Sequence, residues 1–238
     1  MPLPRHIAII PDGNRRWAKA KGLPAFFGHR EGAKAAEKIF AKALELKIPY
    51  LTMWGLSMNN LKRPADEVEF LMNLFELEFK RLANSKDVHQ NRIRIRALGR
   101  WQEHFSPGAK AAIQEMIDKT ATYDALNLTF LLAYNGTEEM VSAVREVTRA
   151  YSNTPLPDGQ TDSITEQTIK NHLYTKELPP VDLVIRTGGD PHLSTGFMMW
   201  DVAEAQLYFS DLFWPDFSPE AFEEAMAAYG QAERRHGK

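Results

Sequence analysis

Short apolar runs alternate along the chain with amphipathic stretches, which is the pattern of strands followed by helices. Apolar runs bounded by turn residues predict buried strands at 7–10, 49–54, 126–133 and 181–185. Arginine alternates with Ile or Ala over 92–97, which predicts a half-buried strand with a charged face. Helical periodicity predicts helices at 30–46, 109–122, 138–151 and 165–173, one after Arg63-Pro64 and one after Ser218-Pro219. Residues 152–163 are predicted to form a loop.

This alternation predicts an α/β fold, in which a mostly parallel sheet is flanked by helices. No repeat, low-complexity tract or shift in composition divides residues 1–238, so we expect a single domain. In such folds ligands bind beyond the carboxyl ends of the strands. The residues that follow each strand are therefore the first candidates for ligand-binding and catalytic residues.

The composition of the chain excludes several classes of protein and of functional site. The chain has 238 residues, a formal net charge of −2 and no cysteine. The charge argues against a dedicated nucleic-acid-binding protein, and the lack of cysteine excludes disulfide scaffolds, thiolate nucleophiles and Cys-based zinc sites. No apolar run approaches the ~20 residues that span a bilayer. We expect a cytoplasmic protein.

The segment after the first strand is the first candidate site. Asp12, Gly13 and Asn14 form a strong turn signal, and Arg15 and Arg16 follow at the expected start of a helix. A helix start beside two arginines favours binding of a diphosphate. Asp12 would repel that anion unless a divalent cation bridges them, and Mg²⁺ accepts one or two carboxylates together with phosphate oxygens. The alternative is a plain turn followed by solvated arginines.

Five sequence blocks extend this motif and occur in a fixed order over nearly the whole chain. The blocks lie at 6–18, 28–32, 51–68, 134–139 and 182–217. Together they resemble the cis-prenyltransferases, the undecaprenyl diphosphate synthase family. The resemblance implies that family's fold, with an apolar tunnel for the growing chain. It also implies condensation of isopentenyl diphosphate onto an allylic prenyl diphosphate, with formation of a cis double bond.

The resemblance also assigns roles to individual residues. Asp12 would hold Mg²⁺, His29 would act near the same phosphates, and Asn60 would assist proton removal; these are the expected catalytic residues. A histidine that only bonds to backbone is the alternative for His29. Gln206 falls at the family's second metal-site position. The expected substrate-binding residues are Gly13, Asn14, Arg15, Arg16, Trp17, His29, Ser57, Arg63, Arg186, His192, Ser194, Arg234 and Arg235.

The assembly expected from the resemblance is a homodimer. Its C-terminal tail, with Arg234 and Arg235, would reach into the partner subunit, although a solvated helix end is the alternative interpretation. We also expect a peripheral contact at the inner face of the membrane for release of the lipid product, and no nucleic-acid partner.

Several positions depart from the family pattern. Gln206 stands where the family has a Glu, His192 and Ala25 where it has Arg, and Leu61 where it has Trp. One extra residue lies between Ser194 and the next matched position. These departures leave two alternatives open. One is a member with an altered acceptor, coupling mode or short product, and the other is a non-catalytic partner subunit.

Overall fold

Six strands form one sheet in which every neighbouring pair runs parallel, in the order β3-β4-β2-β1-β5-β6. The computed structural model describes residues 3–153 and 164–231. The strands are β1 His6–Ile10, β2 Tyr50–Leu56, β3 Ile93–Leu98, β4 Leu126–Leu132, β5 Leu183–Arg186 and β6 Gln206–Phe209. The predicted α/β class with a parallel sheet flanked by helices is confirmed.

Helices connect the strands and cover both faces of the sheet. The helices are α1 Asn14–Ala20, α2 Ala25–Glu45, α3 Ala65–Ala83, α4 Lys86–Gln90, α5 Trp101–His104, α6 Pro107–Thr120, α7 Gly136–Asn153, α8 Glu166–Lys170 and α9 Pro219–Gln231. Short 3₁₀ turns lie at Met58–Lys62, Ser194–Gly196 and Trp214–Asp216. The predicted loop at 152–163 lies outside the described residues except for its first two positions, which belong to α7.

The central strand β1 is buried along its whole length. Ile7 and Ile9 pack into the core on one face, while Ala8 and Ile10 pack into a second core on the other. Parallel strands covered by helices on both faces have continuous apolar runs for this reason. The apolar run at 7–10 therefore predicts the strand.

Two strands lie at the sheet edges, and they differ in how well the sequence predicts them. Strand β3 is an edge strand whose charged face carries Arg94 and Arg96 against Glu177, as expected for an edge that resists aggregation. Strand β6 was not predicted, because it has only four residues and exposes Leu207 and Phe209 to solvent.

The register of the sheet brings several chain segments together at its carboxyl edge. Ile10 of β1 lies beside Arg186 of β5, and Ile9 lies beside Met53 of β2. The segments that begin at Pro11, Ser57 and Thr187 therefore leave the sheet side by side.

Candidate active site

A cavity of about 720 Å³ begins at this carboxyl edge and extends between α2 and α3. The polar residues that line it are Asp12, Gly13, Asn14, Arg15, Arg16, Lys19, His29, Glu37, Ser57, Asn60, Arg63, Glu78, Arg81, Arg186 and Ser194. Its apolar lining comprises Ala33, Ala36, Phe40, Met53, Leu56, Leu71, Leu74, Phe75, Phe79, Leu82 and Phe130. A cationic mouth thus opens into an apolar tunnel.

The turn that carries the first candidate residues requires glycine at position 13. Gly13 has a φ of 107°, in the left-handed region that favours glycine. A Cβ atom there would also approach the ring of Phe213 to 2.6 Å. This geometry lets α1 start at Asn14 directly after β1, with Arg15 and Arg16 at the cavity.

Asp12 and two arginines form the first charged group at the mouth. The Asp12 carboxylate lies 2.9 Å from Arg186 Nη2 and 3.2 Å from Arg16 Nη2. The Arg186 side chain is only 4% exposed and also donates to Ser194 Oγ at 3.1 Å. Its Nε–H is buried and has no hydrogen-bond partner among the described residues.

Glu67 organises a second charged group. Its carboxylate accepts hydrogen bonds from His29 Nε2 at 3.1 Å and Arg63 Nη1 at 3.0 Å, and Arg15 Nε lies 3.6 Å away. The Glu67 side chain is 10% exposed. Burial lowers the pKa of His29 below its ordinary value, although the Glu67 hydrogen bond opposes this shift. His29 therefore contacts a side chain and not backbone, which excludes the alternative considered from the sequence.

Ser57 and Asn60 lock the 3₁₀ turn that follows β2. The Asn60 side-chain oxygen accepts from the Ser57 backbone N–H at 3.1 Å, and Ser57 Oγ accepts from the Asn60 backbone N–H at 3.2 Å. No described residue accepts a hydrogen bond from the Asn60 amide nitrogen. The amide group can therefore donate into the cavity, and a neutral amide donor orients a substrate instead of removing a proton.

Two predicted substrate contacts, Trp17 and His192, do not line the cavity. Trp17 is buried away from the cavity, and its indole N–H donates to Asp216 at 2.7 Å. The ring thus fastens α1 to the last 3₁₀ turn. The side chain of His192 is 53% exposed and bonds to Asp190 and Ser194, and His192 does not line the cavity. Its backbone carbonyl accepts from Arg186, so it supports the mouth through that arginine.

Within one chain, Gln206 lies far from Asp12, its expected partner at a metal ion. Gln206 begins β6 at the level of Leu183, whereas Asp12 follows Ile10, which is level with Arg186. At about 3.3 Å per residue, these positions lie at opposite ends of the sheet. Gln206 and Asp12 of one chain therefore cannot share an ion. The described residues contain no cluster of three or more His, Asp or Glu that could hold a metal.

Arg234 and Arg235 lie outside the described residues. Among the residues assigned from the sequence, Asp12, His29, Ser57, Arg63 and Ser194 line the same cavity, with the other lining residues given above. The sequence blocks assign no role to Glu67, although it lies within the block at 51–68. Its position four residues after Arg63 on the helical repeat was the available signal.

A parallel sheet with a cationic mouth above an apolar tunnel defines a class of protein that binds an anionic head group carrying an apolar chain. Comparisons with known proteins identify the family. The model of the prenyltransferase family described as undecaprenyl diphosphate synthase matches residues 10–237. The chain belongs to this family.

Curated relatives match along the full length of the chain. The isoprenyl transferase of Thermotoga maritima is 39% identical over 237 residues, covering 100% of this chain and 98% of that protein. A Vibrio vulnificus protein named ditrans,polycis-undecaprenyl-diphosphate synthase, specific for (2E,6E)-farnesyl diphosphate, is 39% identical and covers 99% of this chain and 91% of its own.

A solved structure matches the fold. Lavandulyl diphosphate synthase from Lavandula x intermedia, in complex with dimethylallyl diphosphate, aligns with a TM-score of 0.90 and 31% identity over 99% of both chains. The predicted family and its fold are confirmed. No helix in the described part of the chain has the length and apolar character to cross a membrane.

Proposed function

We propose that this chain condenses isopentenyl diphosphate onto an allylic prenyl diphosphate and so elongates a poly-cis-polyprenyl diphosphate. The observation that carries the proposal is the continuity of the cavity, in which four arginine side chains surround the mouth of a tunnel lined by apolar residues. These arginines are Arg15, Arg16, Arg63 and Arg186. A diphosphate can bind at the mouth while its hydrocarbon chain enters the tunnel.

The reaction exchanges one bond for another. The C1–O bond of the allylic diphosphate breaks, and diphosphate leaves with the electron pair. The double bond of isopentenyl diphosphate supplies the electrons for the new carbon–carbon bond. A proton then leaves C2 of the acceptor unit, so that a new double bond forms with cis geometry. An oxygen of the departing diphosphate accepts this proton.

The residues divide between the two substrates. The backbone at Gly13 and the side chains of Asn14, Arg15 and Arg16 would bind the allylic diphosphate, with His29 as a further donor. Arg186 and Ser194, which accepts a hydrogen bond from Arg186, would bind the acceptor. Asn60 would orient the acceptor through its amide nitrogen.

Mg²⁺ fits the mouth with Asp12 as its one protein carboxylate. The donor set is consistent with this, because Mg²⁺ is commonly bound by one or two carboxylates together with substrate phosphates and water. When bound, the ion would offset negative charge on the departing diphosphate. Arg16 and Arg186 hold the Asp12 carboxylate at the cavity and would orient it for that role.

We also propose a homodimer that forms through β6. Its support is the edge position of β6 together with two exposed apolar side chains, Leu207 and Phe209. Arg234 and Arg235 would complete the partner's acceptor site. A peripheral membrane contact would receive the lipid product, and exposed Leu23, which also lines the cavity, supports a contact beside the mouth.

Product analysis with labelled isopentenyl diphosphate tests the proposal. The starters should include dimethylallyl, geranyl, farnesyl and geranylgeranyl diphosphate, because relatives at 39% and 38% identity are named as specific for farnesyl and for geranylgeranyl diphosphate. A linear product with new cis double bonds supports the proposal. A branched product would indicate an altered coupling mode, and turnover that needs a second protein would indicate a partner subunit.

A further inference from the structure

Three side chains of one short loop form a chain of hydrogen bonds at the edge of the mouth. His192 Nδ1 lies 2.8 Å from the Asp190 carboxylate, and His192 Nε2 lies 3.1 Å from Ser194 Oγ. Of the three residues, Ser194 alone lines the cavity. The imidazole of His192 therefore connects a partly exposed carboxylate to a hydroxyl group at the substrate cavity.

The partners of His192 and Ser194 fix the direction of each hydrogen bond while the ring is neutral. The Asp190 carboxylate can only accept, so Nδ1 carries the ring hydrogen and Nε2 is an acceptor. Ser194 Oγ already accepts from Arg186 Nη1 at 3.1 Å. The single hydroxyl hydrogen of Ser194 is therefore donated to His192 Nε2. The hydroxyl group then presents only an oxygen lone pair to the cavity.

Arg186 brings positive charge to this place but no free terminal donor. Its Nη1 donates to Ser194 Oγ and to the His192 carbonyl oxygen. Its Nη2 donates to the carboxylates of Asp12 and Asp190. These four bonds use all four hydrogens of the two terminal nitrogens. A phosphate oxygen that approaches Ser194 then meets an acceptor in place of a donor, which costs free energy.

Protonation of His192 reverses its hydrogen bond with Ser194. Both nitrogens of a charged imidazole are donors, so Nε2–H donates to Ser194 Oγ while Nδ1–H still donates to Asp190. The hydroxyl hydrogen of Ser194 is released and can donate to a phosphate oxygen in the cavity. Histidine is the side chain that changes charge between about pH 5 and 8, so this reversal belongs to the range around neutral pH.

The backbone of the turn that carries Ser194 is held in place. A Cβ atom at Gly136 would lie 1.7 Å from the Gly196 carbonyl oxygen, so α7 packs directly against this turn. The His192 side chain is 53% exposed, and its ring therefore exchanges protons with solvent. Protonation of the ring changes the direction of the Ser194 hydroxyl group and leaves the turn where it is.

The charged groups around the ring balance each other. Asp190 contacts the ring, and Arg186 lies 3.3 Å from Asp190. Arg186 and Arg16 also pair with Asp12, at 2.9 and 3.2 Å. Two carboxylates thus face two guanidinium groups, and protonated His192 adds one further positive charge. An anionic acceptor therefore favours the protonated ring.

We propose that His192 is a positioning residue that directs the Ser194 hydroxyl group and makes binding of the acceptor diphosphate depend on protonation of the ring. The inference rests on the proposed function and deepens it. His192 contacts no reacting carbon and acts through Ser194. The acceptor binds most tightly at low pH, where the ring is charged. In His192→Arg the charge is present at every pH, so the dependence should disappear.

The test measures the Michaelis constant for isopentenyl diphosphate at pH 6, 7 and 8, with the preferred starter and Mg²⁺ at saturation. The proteins are the wild type, His192→Arg and the control His104→Arg. His104 is an exposed histidine at the end of α5 and does not line the cavity. Phosphate groups also ionise near pH 6, so the proteins are compared with one another at the same pH. The Michaelis constant for the starter is measured in parallel.

We expect the Michaelis constant of the wild type for isopentenyl diphosphate, divided by that of His192→Arg, to rise about tenfold from pH 6 to pH 8, the effect of losing one hydrogen bond to a charged group. The control His104→Arg should follow the wild type at each pH. The same ratio for the starter should change by less than twofold. Equal pH profiles in the wild type and His192→Arg would overturn the inference, while condensation in both would leave the proposed function intact.

A binding measurement without turnover provides the second test. The His192 ring is titrated by NMR in the wild-type protein with Mg²⁺, with and without isopentenyl diphosphate, and with no starter present. Because protonation and binding are linked, the acceptor should move the midpoint of this titration to higher pH. An unmoved midpoint at saturating isopentenyl diphosphate would overturn the inference. A chain that condenses no starter would overturn the proposed function separately, since the titration needs no condensation.

Discussion

The carboxylate of Asp12 lies at the mouth and contacts both Arg16 and Arg186. Removing its charge while keeping its shape isolates its role in the reaction. We expect Asp12→Asn to lower turnover by at least 100-fold, because the loss of a charge aligned with the departing group costs about 2.7 kcal/mol or more. Steady-state turnover measured at saturating substrates and Mg²⁺ checks this.

Asp190 provides the matched control for Asp12. Its carboxylate also contacts Arg186, at 3.3 Å, but Asp190 does not line the cavity. Asp190→Asn should change turnover by no more than a few fold. Equal losses in the two variants would show that Asp12 acts only by holding Arg186 in place.

Glu67 is a positioning residue for Arg15, His29 and Arg63, which come from separate segments. In Glu67→Gln the guanidinium groups of Arg15 and Arg63 lose their shared counter-charge and repel each other, and His29 loses its charged hydrogen-bond acceptor. We expect kcat/KM for the allylic diphosphate to fall at least tenfold, about 1.4 kcal/mol, with a smaller change for isopentenyl diphosphate. The exposed neighbour Asp66 on the same helical turn provides the control, as Asp66→Asn.

A readout from His29 distinguishes positioning from a general loss of structure. Burial lowers the pKa of His29, and its hydrogen bond to Glu67 raises it. Removing the carboxylate should therefore lower the pKa of His29 further. Titration of the His29 ring by NMR in the Glu67→Gln protein checks this. An unshifted His29 titration with normal allylic binding would contradict the positioning role.

At the scale of elements, β6 combines a free edge with exposed apolar side chains. We expect the double variant Leu207→Glu and Phe209→Glu to be monomeric in analytical ultracentrifugation at micromolar concentration, because charged residues on an edge prevent pairing with another chain. The control is Leu77→Glu, an exposed leucine on α3. A wild-type protein that is already monomeric would refute the dimer.

How well the sequence predicts an element depends on how fully the element is buried. Strands β1, β2, β4 and β5 could be predicted because their apolar runs are buried between two helical layers. Strand β6 could not, because its side chains alternate between partial burial and exposure over only four residues. Short α4 and α5 also carry too few apolar residues to show a period.

The sequence predicts some residues of the candidate site and not others. Asp12 and Arg186 follow strands directly, so their place at the carboxyl edge follows from the topology. The role of Glu67 could not be predicted, because it depends on three segments that meet only in the folded chain. Trp17 was assigned to substrate from its place in a motif, whereas its packing against Asp216 is a tertiary contact that no local pattern indicates.

At the scale of the whole molecule, a buried histidine connects the fold's stability to pH. His6 begins the central strand with no exposed surface. Its Nδ1 lies 2.8 Å from the Pro179 carbonyl, so Nδ1 must carry the hydrogen, and Nε2 accepts from the Thr52 hydroxyl at 2.8 Å. Burial lowers the pKa of His6 below its ordinary value of 6.5. The folded state therefore keeps the neutral ring at pH values where the unfolded chain is protonated.

The sign of the resulting pH dependence follows from proton counts. Below pH 6.5 the unfolded chain binds a proton at His6 that the folded chain excludes, so the free energy of unfolding decreases as pH falls. The slope contributed by one histidine is at most about 1.4 kcal/mol per pH unit. Above pH 7 the contribution is constant. Burial raises the pKa of Glu139, so the contribution of Glu139 to the free energy of unfolding increases as pH falls. A comparison with a variant is therefore needed to separate the two contributions.

Urea unfolding at pH 7.5, 6.5 and 5.5 measures this contribution in the wild type and in His6→Asn. The asparagine amide keeps a donor for the Pro179 carbonyl but cannot be protonated, so the variant isolates titration from packing. We expect His6→Asn to be less stable at pH 7.5, because the smaller side chain leaves a cavity. Its stability should nevertheless decline less than that of the wild type between pH 6.5 and 5.5. Parallel declines in the two proteins would show that His6 is protonated equally in the folded and unfolded states, and that the burial of β1 does not control the acid sensitivity of the molecule.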